Sequence, residues 1–84
     1  MDVDVDEHAL KHGLVETEIK FAWERRIKMR HRPVPNEQFA VAVGCVPDGG
    51  LIQMVAVQND RGYLIFHAMA PPQKRVLDEL GMGR

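Results

Sequence analysis

Lys28, Arg30 and Arg32 alternate with Ile27, Met29 and His31, so an extended chain here would carry three cations on one side. Successive cations would then stand about 6.6 to 6.8 Å apart, near the phosphate spacing along an extended nucleic-acid strand. Such a row could track phosphates, and it could equally guard an edge strand against aggregation. His67 is a second candidate. It interrupts the apolar run Tyr63 to Met69, on the side of Tyr63, Ile65 and Met69 if the strand is regular. An imidazole there either completes a hydrogen bond in the core or moves a proton near neutral pH. His8 and His12 are four residues apart, a spacing that suits a metal pair on one helix face. However, Ala9 follows His8 where a zinc-protease helix carries glutamate, and no other His or Cys is close in sequence. No metal site is expected.

Composition excludes other chemistries. The chain has no serine, hence no serine nucleophile, and no glycine-rich phosphate loop leads into a helix. Its one cysteine, Cys45, cannot form an internal disulfide and is expected to be a small buried hydrophobe. Eleven basic and twelve acidic residues leave a net charge of -1, so any attraction for nucleic acid must come from how charge is distributed. The 45% hydrophobic and 27% charged fractions suit a soluble globular domain. No apolar run approaches the roughly 20 residues needed to span a bilayer. The acidic start, Asp2, Asp4, Asp6 and Glu7, is the opposite of a signal peptide. These features point to one cytoplasmic domain over residues 1–84, without a membrane partner or cofactor.

The elements that must position the candidates follow from periodicity. Met1 to Val5 alternates as a short strand or extended arm. Asp6 can cap a helix from Glu7 to His12 that Gly13 ends. Ile19, Ala22, Trp23 and Ile27 form the buried stripe of a second helix, from about Glu16 to Arg26. The basic strand follows, closed by Pro33 and Pro35. Three more strands are expected at Gln38 to Val46, Leu51 to Gln58 and Tyr63 to Met69. Pro47-Asp48-Gly49-Gly50 and Asn59-Asp60-Arg61-Gly62 are the hairpin turns between them. After Pro71 and Pro72, a last helix has the stripe Val76, Leu77 and Leu80. The expected fold class is α+β in two layers: two N-terminal helices, a four-stranded antiparallel meander and a C-terminal helix.

Lys11-His12-Gly13-Leu14, followed by a helix with an acidic start, resembles the Lys-His-Gly-Val/Leu signature of the BrnT family. The strand Leu51 to Val57 fits the same pattern. So does Ile65-Phe66-His67-Ala68-Met69 with a basic helix behind it, although Met69 stands where that family has arginine. The resemblance implies a RelE-like fold and a metal-independent endoribonuclease toxin, acting on free or ribosome-bound RNA and neutralised by a small DNA-binding antitoxin. For such a nuclease, His67 and His12 are the proton-transfer candidates. Lys74 and Arg75, with Arg30 and Arg32, are the charge-stabilising ones. Lys28, Arg30 and Arg32 would bind the RNA backbone. Two alternatives stay open: a non-enzymatic protein-interaction module of the same fold, and a small ligand-binding domain. Homo-oligomers are compatible with any of these.

Overall fold

The elements of the computed structural model, which describes residues 2–83, run β1 (Asp2–Val5), a single 3₁₀ turn (Glu7–Leu10), α1 (Glu16–Glu24), β2 (Arg26–His31), β3 (Phe39–Cys45), β4 (Leu51–Asn59), β5 (Gly62–Met69) and α2 (Lys74–Glu79). They build one mixed sheet of five strands, in the order β1-β5-β4-β3-β2. β2 to β5 pair antiparallel with their sequence neighbours, and β1 lies parallel to β5, with Val3 against Tyr63 and Val5 against Ile65.

This corrects the expected architecture in three respects. The sheet is a five-stranded mixed one rather than a four-stranded meander, because the Asp-Val alternation joins it: Val3 and Val5 pack on the core. Met1, the first residue of the expected arm, lies outside the described residues. The expected first helix is one 3₁₀ turn, so two α-helices remain instead of three. Too few residues separate Asp6 from Gly13 to repay α-helix nucleation. Ala9 alone of that turn is buried, and Asp6 caps it by accepting the His8 N–H at 2.9 Å. Finally, the helices do not share one face. α1 and the 3₁₀ turn cover one side of the sheet and α2 the other, so the apolar residues fall into two clusters.

Beneath α1, Ile19, Ala22 and Trp23 pack on Ala40, Ala42, Ile52, Met54, Ala56, Ile65 and Ala68. The N-terminal turn of α1 is held by Glu18, whose carboxylate accepts the Val15 N–H at 3.1 Å. At its end, the Arg26 guanidinium donates to the Trp23 carbonyl at 2.9 Å and lies 5.0 Å from the Trp23 ring centroid. Trp23 also meets Tyr63 with ring centroids 5.1 Å apart, and only 4% of it is exposed. Trp23→Ala should therefore cost about 3–5 kcal/mol. Chemical denaturation checks this, and a midpoint unchanged from wild type would reject the anchoring role.

On the opposite face, Val76 and Leu80 of α2 cover Val41 and Val43 of β3. α2 ends in a left-handed Gly81 (φ 74°), with Gly81 N–H bonded to Asp78 O and Met82 N–H to Leu77 O at 2.7 Å. This paired termination brings Met82 back onto Leu77, and both join the second cluster. At the start of α2 the Gln73 N–H donates to Gln53 Oε1 of β4 at 2.7 Å, which holds that end of the helix against the sheet.

Candidate functional site

Between β4 and β5 the register slips at Val55/Ala56. Val55 pairs with His67 and Ala56 with Ile65, which leaves Phe66 as the extra residue of a bulge. Alternation fails there. Ile65 and Ala68 both point into the core under α1, while Phe66 and His67 both point to the α2 side. The regular strand expected from the sequence would have kept His67 with Tyr63 and Ile65; the bulge moves it to the other face. Bulges commonly re-aim side chains in this way beside functional sites.

His67 thereby enters a cleft of about 790 Å³. Its floor is Gln53, Val55, Phe66 and His67. Arg32 closes one side, Gln73, Arg75, Val76 and Glu79 of the α2 region a second, and His8, Lys11 and His12 a third. The rings of His12 and His67 meet edge to face with centroids 5.8 Å apart. Among the described residues, Lys11, Arg32, Arg75 and three imidazoles thus face a single lining carboxylate, Glu79, which is already paired with Arg32 at 3.2 Å. A cleft of that composition suits an anion.

The protonation of His67 follows from its neighbours. Gln53 is buried, and its Oε1 accepts the backbone N–H of Gln73 at 2.7 Å. That bond fixes the amide, because a backbone N–H can only donate. The Gln53 NH₂ group must then donate to His67 Nε2 at 2.9 Å and to Gln73 Oε1 at 3.3 Å. His67 Nε2 is therefore an acceptor, and a neutral ring carries its hydrogen on Nδ1. Burial, reinforced by the nearness of His12 and the Arg75 guanidinium, also holds His67 below the ordinary imidazole value of 6.5. A neutral His67 therefore keeps its Nδ1–H as a hydrogen-bond donor while Gln53 occupies Nε2.

With the folded value lowered, the unfolded chain binds more protons between that value and 6.5. The stabilisation is complete above about 6.5 and is lost as pH falls through the window below it. Wild type should lose more stability than His67→Gln on acidification through this range. Parallel denaturation series would show it, and identical pH profiles would refute the assignment.

His8 is wired differently. The Asp6 carboxylate lies 2.8 Å from His8 Nδ1 and also accepts the His8 N–H, and these two bonds lower the Asp6 pKa. The contact orients the His8 ring with Nδ1 toward Asp6, leaving Nε2 free. Among the described residues, no three His, Cys, Asp or Glu side chains are placed to hold a metal ion together.

Of the residues singled out from sequence, His67, His12, Arg75 and Arg32 come together in the cleft. Lys74 does not line it; its ammonium turns outward, bonded to Asp78 at 3.1 Å. Lys28 and Arg30 share the α2 face of the sheet, opposite Val43 and Val41, but are exposed toward the open edge outside the cleft. Cys45 is half-buried rather than enclosed. His31 is structural: its Nδ1–H donates to the Glu37 carbonyl at 2.7 Å, and its Nε2 accepts from the Tyr63 hydroxyl at 2.8 Å. Lys11, Gln53 and Gln73 were not foreseen, and His8, considered only as half of a metal pair with His12, lines the cleft as well. For Gln53 a signal existed, since it is the lone polar residue within Leu51 to Val57.

No protein-family model matches the chain, and neither does any curated protein or solved structure. Among the described residues, no helix is long and apolar enough to cross a membrane.

Proposed function

We propose that the cleft binds a phosphodiester of RNA and cleaves it without a metal. The observation that carries this reading is the convergence of two imidazoles, His12 and His67, with Lys11, Arg32 and Arg75 around one cavity whose one carboxylate among the described residues is already paired. The cations supply attraction for phosphate. The BrnT-like segment Lys11-His12-Gly13-Leu14 supports RNA as the substrate class. In this reading His67 Nδ1–H and Arg75 hold the non-bridging oxygens, and they stabilise the charge that develops there. His12 takes the 2′-hydroxyl proton as the oxygen attacks phosphorus. His8, oriented by Asp6, returns a proton to the leaving 5′-oxygen.

Such chemistry needs the 2′-hydroxyl. Wild-type protein should cut a synthetic oligoribonucleotide in chelator, leaving a cyclic 2′,3′-phosphate, and should leave the 2′-deoxy analogue intact. Folded protein that cuts neither, alone or with ribosomes, would overturn the proposal.

A further inference from the structure

The two open edges of the sheet carry opposite charge in complementary patterns. At one edge β1 reads Asp2-Val3-Asp4-Val5, and at the other β2 reads Arg26-Ile27-Lys28-Met29-Arg30-His31. Asp4, Lys28 and Arg30 are exposed, and Ile27 is 53% exposed for a large apolar residue. Charge of one sign on an edge protects it from a copy of itself, because like charges would then face each other. It does not protect β2 from β1.

Geometry favours that unlike pairing. Passing across the sheet from β2 to β1, the strands alternate in direction until β5, which β1 parallels. A second copy placed edge to edge in the same orientation therefore brings its β1 antiparallel to β2. The faces agree as well. Val3, Val5 and Met29 all pack on the α1 side, so Asp4, Lys28 and Arg30 all belong to the α2 side. The unpaired backbone groups also match. Asp6 N–H and Arg32 N–H are bonded inward, to Ile65 O and Phe39 O. By the period of two, Val3 and Val5 at one edge and Met29 and His31 at the other turn their own N–H and C=O groups outward. A register that sets Val5 opposite Met29 sets Asp4 opposite Arg30, and one that sets Val3 opposite Met29 sets Asp4 opposite Lys28.

We infer that this chain associates head to tail with a second copy of itself, β1 of one molecule adding to β2 of the next. The contact is heterologous, so it can repeat into short linear oligomers. With only four residues in β1, it is a weak and salt-sensitive interface.

Sedimentation velocity over a concentration series to about 1 mM, at low salt, tests the inference. Wild type should shift toward dimers and longer species with concentration, and added salt should weaken the association about tenfold or more. Asp4→Lys and the double variant Lys28→Glu/Arg30→Glu should each be monomeric. An equimolar mixture of the two should associate again, since each supplies the edge that the other now complements. Wild type that stays monomeric throughout would overturn the proposal. So would a mixture that stays monomeric, or association that survives both sets of substitutions. If wild type is monomeric yet binds an acidic extended peptide at β2, the occupant of that edge is another protein.

Discussion

Gly44→Ala should be strongly destabilising for a change of a single methyl group. A β-carbon on Gly44 of β3 falls onto the backbone carbonyl oxygen of Ala22 in α1, with Ala22 C only 2.9 Å away. Neither partner can yield cheaply. Gly44 and Ala22 are both buried, Gly44 pairs with Ile52 of β4, and Ala22 is central in a helix whose neighbour Trp23 is locked against Tyr63. The added methyl must lift α1 from the sheet, at a cost of about 3 kcal/mol or more. That is a large part of the roughly 4–13 kcal/mol expected for a domain of this size. Thermal and denaturant unfolding of Gly44→Ala beside Gly50→Ala provides the comparison. Gly50 lies in the exposed turn, where the nearest atom to an added β-carbon is a side-chain oxygen at 3.3 Å. Equal stability of the two variants would mean that α1 does not rest on β3 as described.

The second large effect is catalytic. His12→Ala should lower RNA cleavage by about 10²–10⁴-fold, the range for a lost general acid–base group. It should barely change stability, because His12 is exposed. His67→Gln should act otherwise. It removes one of the two partners of Gln53 Nε2 and, in the proposed mechanism, the Nδ1–H that would hold a phosphate oxygen, so binding, cleavage and the pH dependence of stability should all change. Arg75→Glu should weaken binding and reduce its salt slope, because fewer counterions are released. A His12→Ala protein that cuts as fast as wild type would remove His12 from the mechanism.

Much of the sheet was legible in the residues. Asn59 and Asp48 mark the turns for a physical reason: their side-chain oxygens accept backbone N–H groups two residues on, at 2.9 Å from Arg61 and 3.0 Å from Gly50. The apolar runs on either side then become adjacent antiparallel strands. The parallel place of β1 was not legible, because it depends on which edge the later strands leave open. The stripe Val76, Leu77 and Leu80 marks α2 as amphipathic but does not say which face of the sheet receives it.

The site shows the same division. His67 and His12 announced themselves by residue type, but their meeting depends on the bulge at Phe66. Nothing in Ile65-Phe66-His67-Ala68 departs from ordinary strand composition. The bulge exists only in the pairing with β4, a property of two strands together. Gln53 likewise acquires its role from Gln73, twenty residues later, once α2 docks. Lys74 and Arg75 are adjacent in sequence but on different sides of a short helix, so only Arg75 reaches the cleft.

The central claim, that this cleft receives an RNA phosphodiester, is tested most directly by titrating isotopically labelled protein with a short, non-cleavable 2′-deoxy-substituted oligonucleotide and following amide and imidazole resonances by NMR. The expected result is saturable, salt-sensitive shifts centred on Lys11, His12, His67, Gln73 and Arg75, with the Gln53 side-chain amide moving in step with His67. Shifts confined to Lys28, Arg30 and their neighbours on the outer strand, or no saturable shift at low salt, would contradict it.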